Sequence, residues 1–268
     1  MRKIFLKILE PIINFVFKMN KFFYFSLKYY LIKTSIKDSG LKNISIFKYN
    51  KWHHGFCYFI AFKKGKKVFI KVDTKFRILE NEKYFYNNLE DELSPYLVKM
   101  HDFHKTKYVD FIVFDFLESS QELNEELLLN NLRYLEEIIF ILKTIKSKKI
   151  IHRDIKLDNF MIVHNKIKII DFTFSNSFLC QSSFKELNLS SKKNYFILKG
   201  LGLGLNPKDF IWNDFISMQN IINNILSYEL TNLQISELKK YKLLCNDLSE
   251  NATYLKTYNY FKGKNNEK

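Results

Sequence analysis

The pattern of hydrophobic and polar positions changes character along the chain. In the first 40 residues, apolar side chains recur at helical spacing, at Ile4, Phe5, Ile8, Leu9, Ile12 and Ile13, which predicts a helix with basic residues between the apolar ones. From Ile44 onward the period shortens to that of β-strands. The segments ISIFKYN, GFCYFIAF and KKVFIKVD predict three strands, with a turn at Lys64-Gly65-Lys66 between the last two.

After residue 75 the pattern mixes helix and strand before helical spacing dominates. Residues 76–89 predict a helix, and LVKMHDF and YVDFIVFDFL predict two further strands. After Ser119, helical patterns cover residues 127–146 and 211–226, with a polar loop between two short apolar runs in IIHRDIKLDNFMIVHNKIKIIDF. A strand-rich part with one helix is therefore followed by a mainly helical part.

This order predicts three regions. Residues 1–40 form a basic amphipathic extension, residues 41–118 a small lobe built on an antiparallel sheet, and residues 119–268 a minimal helical lobe, with a hinge near residues 117–122. A length of 268 residues suits one large domain or two lobes, and 47% hydrophobic residues suffice for a sizeable core.

Charge narrows the possible partners. The net charge of +15, from 43 Lys and Arg against 28 Asp and Glu, favours anionic partners such as ATP, acidic glycans or anionic lipid. AT-rich codons would also make Lys, Asn, Ile and Phe abundant without any selection for binding. The net charge alone therefore identifies no partner. No nucleic-acid motif accompanies the charge, and no specific nucleic acid is predicted.

The N-terminal segment leaves two interpretations open. Its uncharged run, residues 11–17, is too short to span a bilayer, and a signal-peptide cleavage site is not evident. The segment either binds an anionic membrane surface or packs on the rest of the protein. The cysteines Cys57, Cys180 and Cys245 lie far apart, which supports neither a zinc site nor a disulfide framework. We expect a cytoplasmic protein, with a peripheral position at the inner membrane surface as the alternative.

The polar loop HRDIKLDN, residues 152–159, carries the candidate chemistry. Phosphoryl transfer needs bound metal ions, a cation on the phosphates and a carboxylate near the incoming hydroxyl. The loop resembles the catalytic loop of protein kinases, H-R-D-x-K-x-x-N. That resemblance implies that Asp154 accepts the proton of the acceptor hydroxyl, that Lys156 neutralises the transferred phosphate, and that Asn159 holds Mg²⁺.

Four further residues extend the resemblance. Asp171 in IKIIDF is similar to the metal-binding Asp of D-F-G, and Lys71 in VFIK to the phosphate-binding Lys of V-A-I-K. The resemblance implies a Glu partner for Lys71 on the following helix; Glu82 is preferred because Tyr86 and Leu89 would share its inward face, and Glu80 is the alternative. Asp214 resembles the Asp that caps the backbone of the catalytic loop.

The chain also departs from the family pattern. The expected glycine-rich loop over the phosphates corresponds to residues 50–56, where Gly55 is the one glycine. Thr173 replaces the glycine of D-F-G, which makes a conformational switch of that segment less available. No A-P-E motif is present, and about 40 residues follow the Asp214 helix.

Together these features predict an α+β, protein-kinase-like two-lobed fold that uses ATP and Mg²⁺. The acceptor is predicted to be Ser or Thr of a protein, because Lys156 is often missing from small-molecule kinases of this superfamily. The alternative is a glycan kinase similar to bacterial lipopolysaccharide core kinases, which the departures above favour. A pseudokinase scaffold is the third hypothesis.

Overall fold

The computed structural model describes residues 26–48, 55–74, 76–177, 205–206 and 211–250. These residues form two units. The first contains the described residues within Met1–Lys75 together with Asp102–Val113, and the second contains Phe76–His101 and the described residues from Phe114 onward.

A five-stranded sheet accounts for most of the first unit. A helix, α1, covers residues 26–38. The strands are β1 (Lys42–Lys48), β2 (Phe56–Lys63), β3 (Lys66–Asp73), β4 (Met100–Lys105) and β5 (Asp110–Asp115), in the spatial order β1-β2-β3-β5-β4. β1 pairs with β2 and β2 with β3, both antiparallel. The five strands predicted from alternation are thereby confirmed, with small shifts at their ends.

Helix α1 packs on one face of this sheet. Ile32 and Ile36 of the helix are fully buried. They share a core with alternate residues of β2 and β3, namely Cys57, Phe59, Ala61, Val68, Ile70 and Val72. Of the two interpretations of the N-terminal segment, packing on the protein therefore holds for residues 26–38, whereas residues 1–25 lie outside the described residues.

The second unit is mainly helical. In chain order its elements are α2 (Leu79–Leu93), β6 (Gln121–Glu122), α3 (Glu125–Asn130), α4 (Arg133–Ser147), β7 (Ile150–Ile151), β8 (Phe160–Val163), β9 (Lys166–Ile169), β10 (Asn176–Ser177), β11 (Leu205–Asn206), β12 (Ile211–Trp212), α5 (Asp214–Ile225) and α6 (Asn232–Glu250). β6, β8 and β9 form a three-stranded sheet, and β10 pairs with β7. This combination of a sheet unit and a helical unit confirms the α+β class.

Two predicted helices have different bounds in the structure. The helix expected over residues 127–146 is two helices, α3 and α4, because Asn131 leaves helical geometry at φ −148° and its side chain accepts a hydrogen bond from the Arg133 N–H. The helix expected over residues 211–226 begins at Asp214, since the Asn213 side chain caps it by accepting from the Phe215 and Ile216 N–H groups.

Helix α6 was not predicted. Its buried residues Leu238, Tyr241 and Cys245 have helical spacing, but the exposed Leu233 and Leu243 obscure that period in the sequence. The helix packs mainly against α5, and its Tyr241 hydroxyl donates to Glu136 Oε1 of α4 at 2.7 Å. Among the described residues, no helix combines the length and the apolar character needed to cross a membrane.

Candidate active site

The loop between β7 and β8 brings three predicted site residues together. Asp154 is 3% exposed and Asn159 is 4% exposed. The Lys156 Nζ lies 3.0 Å from Asp154 Oδ2. The Asn159 side-chain amide donates to Asp154 O at 2.7 Å and to Asp154 Oδ2 at 3.0 Å. A carboxylate, an ammonium and an amide therefore meet within one short loop.

These bonds orient the Asn159 side chain. Both acceptors belong to Asp154 and are oxygens, so the amide atom facing them is Nδ2, the donor. The Oδ1 oxygen consequently points away from Asp154. Mg²⁺ prefers oxygen ligands such as carboxylates and amide carbonyls. The orientation of Asn159 is therefore compatible with its predicted role as a magnesium ligand.

Lys156 stays charged in this setting. Burial lowers the pKa of its ammonium, but the attraction of the Asp154 carboxylate, the hydrogen bond between the two groups and the charge of Asp171 outweigh burial. The pKa of Lys156 is consequently raised above its ordinary value. A permanent positive charge beside Asp154 suits the neutralisation of a transferred phosphoryl group.

Asp214 stabilises the backbone of the loop. Its Oδ2 accepts from the His152 N–H at 2.7 Å, and its Oδ1 accepts from the Arg153 N–H at 3.0 Å. Arg153 has a positive φ of 72°, a conformation that L-residues rarely adopt without support. Burial raises the pKa of Asp214, against the opposing effect of His152 and Arg153. The predicted capping role of Asp214 is confirmed.

Asp171 lies at the same end of the β8–β9 hairpin as Asn159. Phe160 pairs with Ile169, and the Ile170 N–H donates to Asn159 O at 3.0 Å. Asp171 follows with left-handed backbone angles of φ 68° and ψ 61°. The structure therefore places the two predicted magnesium ligands, Asn159 and Asp171, at neighbouring strand ends.

The residues after Asp171 pack into the second unit. The buried Phe172 ring lies 5.3 Å from Tyr86 of α2 and 4.7 Å from His152, measured between ring centroids. The Nε2 atom of His152 lies 3.1 Å from Ile170 O. His152 thus contacts both the residue before Asp171 and the ring after it, so its contacts are those of a structural residue.

Glu82 occupies the inward face of α2, as predicted. It is 1% exposed, and its neighbours Tyr86 and Leu89 on the same face are buried, whereas Glu80 is exposed. The Glu82 Oε2 accepts a hydrogen bond from the Thr173 hydroxyl at 2.7 Å. Sequence reasoning missed this bond, because it treated Thr173 only as the loss of a flexible glycine. The partnership of Glu82 with Lys71 stays a prediction.

Lys71 and Gly55 belong to the first unit. Lys71 is 4% exposed, and its Nζ lies 5.5 Å from the centroid of the Phe56 ring. Gly55 has a φ of 96°, which favours glycine. Its carbonyl accepts from the Thr74 N–H at 2.9 Å and from the Thr74 hydroxyl at 3.0 Å. Residues 50–54 of the predicted phosphate loop lie outside the described residues.

Comparisons with known proteins agree with this arrangement. The protein kinase domain family matches residues 49–195, more than half of the 268-residue chain. The Carbon catabolite-derepressing protein kinases of Candida glabrata and Saccharomyces cerevisiae are each 30% identical over 42% of this chain, and the match covers 20% and 19% of those proteins. The chain thus spans about a fifth of the length of these curated relatives.

Two further proteins are similar to this chain. A probable serine/threonine-protein kinase KIN1 homolog of Enterocytozoon bieneusi is 30% identical over 31% of this chain and 15% of its own length. The solved structure of the Cydia pomonella granulovirus kinase PK-1 has a TM-score of 0.40 and 15% identity over 56% of this chain and 60% of that chain. The match of the family over residues 49–195, together with the residues brought together around Asp154, shows that the chain belongs to the protein kinase domain family.

Proposed function

We propose that this chain is a kinase that transfers the γ-phosphate of ATP to the hydroxyl of a Ser or Thr residue in a protein. One observation carries the proposal: Asp154 lies within 3.0 Å of both the Lys156 ammonium and the Asn159 amide. A carboxylate that is to accept a proton and a cation that is to balance phosphate charge need to be adjacent in this way.

Each residue has a distinct task in this mechanism. Asp154 orients the acceptor hydroxyl and accepts its proton as the oxygen attacks phosphorus. Lys156 balances the negative charge on the transferred group. Asn159 and Asp171 would hold Mg²⁺, which supplies positive charge at the phosphate oxygens when it is bound. Lys71, Glu82 and Gly55 keep their predicted roles in nucleotide binding.

The choice of Ser or Thr rests on two features. Lys156, which small-molecule kinases of the resembled superfamily often lack, is present, and its Nζ lies 3.0 Å from Asp154 Oδ2. In addition, the relative from Enterocytozoon bieneusi is named a probable serine/threonine-protein kinase. A glycan acceptor and a pseudokinase stay as alternatives, and each corresponds to a separate outcome of the experiment below.

The experiment incubates the purified chain with Mg²⁺, γ-labelled ATP and an extract of the source cells, then separates protein from glycolipid. Label in protein, on phosphoserine or phosphothreonine, supports the proposal. Label in the glycolipid fraction would replace it with the glycan alternative, and absence of transfer to any acceptor would favour the pseudokinase.

Variants identify the residues responsible. Asp154→Asn removes the proton acceptor and should lower turnover by roughly 10²–10⁴-fold. Asp171→Asn should lower turnover and raise the Mg²⁺ concentration required for half-maximal rate. Asp91→Asn, on the exposed side of α2, is the charge-matched control and should leave turnover unchanged. Full activity of Asp154→Asn would show that the carboxylate is not the base.

A further inference from the structure

Thr173 makes a buried hydrogen bond that the family resemblance does not account for. The resemblance places a glycine at this position, but here a threonine is 1% exposed and its hydroxyl donates to Glu82 Oε2 at 2.7 Å. Glu82 is also 1% exposed. A hydrogen bond from a neutral hydroxyl to a buried carboxylate is among the stronger kinds, because little water competes for either partner.

The backbone at this position does not need glycine. The left-handed residue of the segment is Asp171, with a φ of 68°, whereas Thr173 lies within the 3₁₀ turn Phe172–Phe174 and has no positive φ. A threonine side chain is restricted about its first torsion angle because its Cβ is branched. The direction of the hydroxyl is therefore well defined, and the substitution for glycine carries no cost in backbone strain.

Helix α2 contacts the segment after Asp171 at two successive turns. Glu82 accepts from Thr173, and Tyr86, four residues further along the helix, packs on Phe172. On the other side of Thr173, the Ser175 hydroxyl donates to His152 O at 3.3 Å. Of these contacts, the Thr173–Glu82 bond is the polar one that joins the segment to α2, and it lies two residues from Asp171.

We propose that Thr173 is a positioning residue, which orients Asp171 for Mg²⁺ by hydrogen bonding its segment to Glu82 of α2. This inference rests on the proposed function, in which Asp171 is a magnesium ligand. Loss of the hydroxyl leaves the buried Glu82 carboxylate with one donor fewer and lets the turn after Asp171 move relative to α2. The Asp171 carboxylate then samples more positions, and Mg²⁺ binds less tightly.

The test compares three substitutions at one position. Thr173→Val keeps the shape of the side chain and removes the hydroxyl, Thr173→Ser keeps the hydroxyl, and Thr173→Gly restores the residue that the family resemblance places here. For each protein, Mg²⁺ is titrated while binding of a fluorescent ATP analogue is measured by anisotropy. Amide hydrogen exchange of residues 171–175 is measured in the protein without nucleotide or metal.

We expect Thr173→Val and Thr173→Gly to need about tenfold more Mg²⁺ for half-maximal nucleotide binding, from the usual strength of a hydrogen bond to a charged group. Amides 171–175 should exchange faster in both variants, and exchange in α5 should not change. Thr173→Ser should match the wild type within about twofold in both measurements, as expected when a conservative change preserves the bond. At saturating Mg²⁺, kcat of Thr173→Val should approach that of the wild type.

Three results would overturn the inference. The first is unchanged Mg²⁺ dependence and exchange in Thr173→Val, and the second is a failure of Thr173→Ser to preserve them. The third is a lower kcat at every Mg²⁺ concentration with no shift in Mg²⁺ dependence. If Thr173→Val does not fold, Thr173→Gly and Thr173→Ser decide by the same measurements. Exchange needs no catalysis, so a wild type that transfers no phosphate would contradict the proposed function while exchange still tests the Thr173–Glu82 bond.

Discussion

The loop of residues 152–159 and the β2–β3 hairpin that carries Lys71 contribute different parts of the proposed chemistry. Different kinds of contact stabilise the two regions. In the hairpin, β2 and β3 pair through eight successive residue pairs, from Phe56 with Asp73 to Lys63 with Lys66. In the loop, the backbone N–H groups of His152 and Arg153 donate to Asp214, which lies 62 and 61 residues away in the chain.

This difference shows that neighbouring residues suffice to determine the hairpin, whereas the loop also needs contacts with distant residues. Lys64 and Gly65 both have positive φ, 48° and 81°, as a two-residue hairpin turn of type I′ requires. The hairpin therefore follows largely from neighbouring residues. The catalytic loop contains Arg153 at a φ of 72°, which needs support from outside the loop. Three substitutions test this contrast, and a fourth, outside both regions, gives a baseline.

The largest effect should come from the loop. Asp214→Ala leaves two buried N–H groups without their acceptor, and we expect the free energy of unfolding to fall by roughly 2–6 kcal/mol, with turnover lost. Urea titration and phosphotransfer assays measure the two effects. Asp214→Asn keeps one acceptor oxygen and should lie between Asp214→Ala and the wild type. If Asp214→Ala retained the stability of the wild type, the loop would be as locally determined as the hairpin.

For the sheet that contains the hairpin, we expect the largest loss of stability from a substitution in α1, the helix that packs on it. Ile36→Ala removes a fully buried side chain between α1 and the sheet, and we expect it to cost about 2–5 kcal/mol of unfolding free energy. Thermal unfolding measures this loss. Leu27→Ala, at an exposed position on the same helix, is the control and should change little. Equal effects of the two substitutions would mean that α1 does not stabilise the sheet.

A smaller effect is expected at the turn before β2. Gly55→Ala places a Cβ on a residue with a φ of 96°, which should cost about 1–2 kcal/mol. Nucleotide affinity should fall as well, since the Gly55 carbonyl is bonded to Thr74 and its displacement would shift the end of the phosphate loop. Isothermal titration with an ATP analogue, in parallel with chemical unfolding, separates the two effects. Gly65→Ala, at a φ of 81° in the far turn, should lower stability without lowering nucleotide affinity.

The smallest effect should come from a helical contact outside both regions. Tyr241→Phe removes the hydroxyl that donates to Glu136 Oε1, and we expect a loss of about 1 kcal/mol or less, because Glu136 is reached by solvent. The half-exposed Tyr228 offers the matched control, Tyr228→Phe. Chemical unfolding should distinguish the two variants while phosphotransfer stays the same in both. A large loss of turnover in Tyr241→Phe would show that α6 contributes to catalysis and not only to the stability of the helical unit.

Local pattern predicted the strands better than the helices. The segment KKVFIKVD matches β3 from Lys66 to Asp73, because alternation and the Gly65 turn bound it on one side. Helix ends were missed where single polar side chains decide them: Asn131 separates α3 from α4, and Asn213 starts α5. Both depend on hydrogen bonds made by one side chain, which hydrophobic periodicity does not detect.

In the candidate site, too, some features were predicted from the sequence and one was not. The motif HRDIKLDN identified Asp154, Lys156 and Asn159 as neighbours, since six consecutive residues of one loop contain all three. The inward face of α2 was likewise predicted from the spacing of Glu82, Tyr86 and Leu89. Motif reasoning did not find the Thr173–Glu82 bond, since its partners are 91 residues apart and neither residue type signals the other.

The sequence by itself determined the hairpin that carries Lys71 and the composition of the loop at residues 152–159, because each depends on residues close together in the chain. Its motifs, spread from Lys71 to Asp214, also indicated the protein kinase family. The tertiary structure confirmed that Asp214 supports the loop backbone, and it alone decided that α1 covers the sheet and that Thr173 bonds to Glu82. Each of these contacts joins residues far apart in the chain, and their side chains meet only when the core brings the elements together.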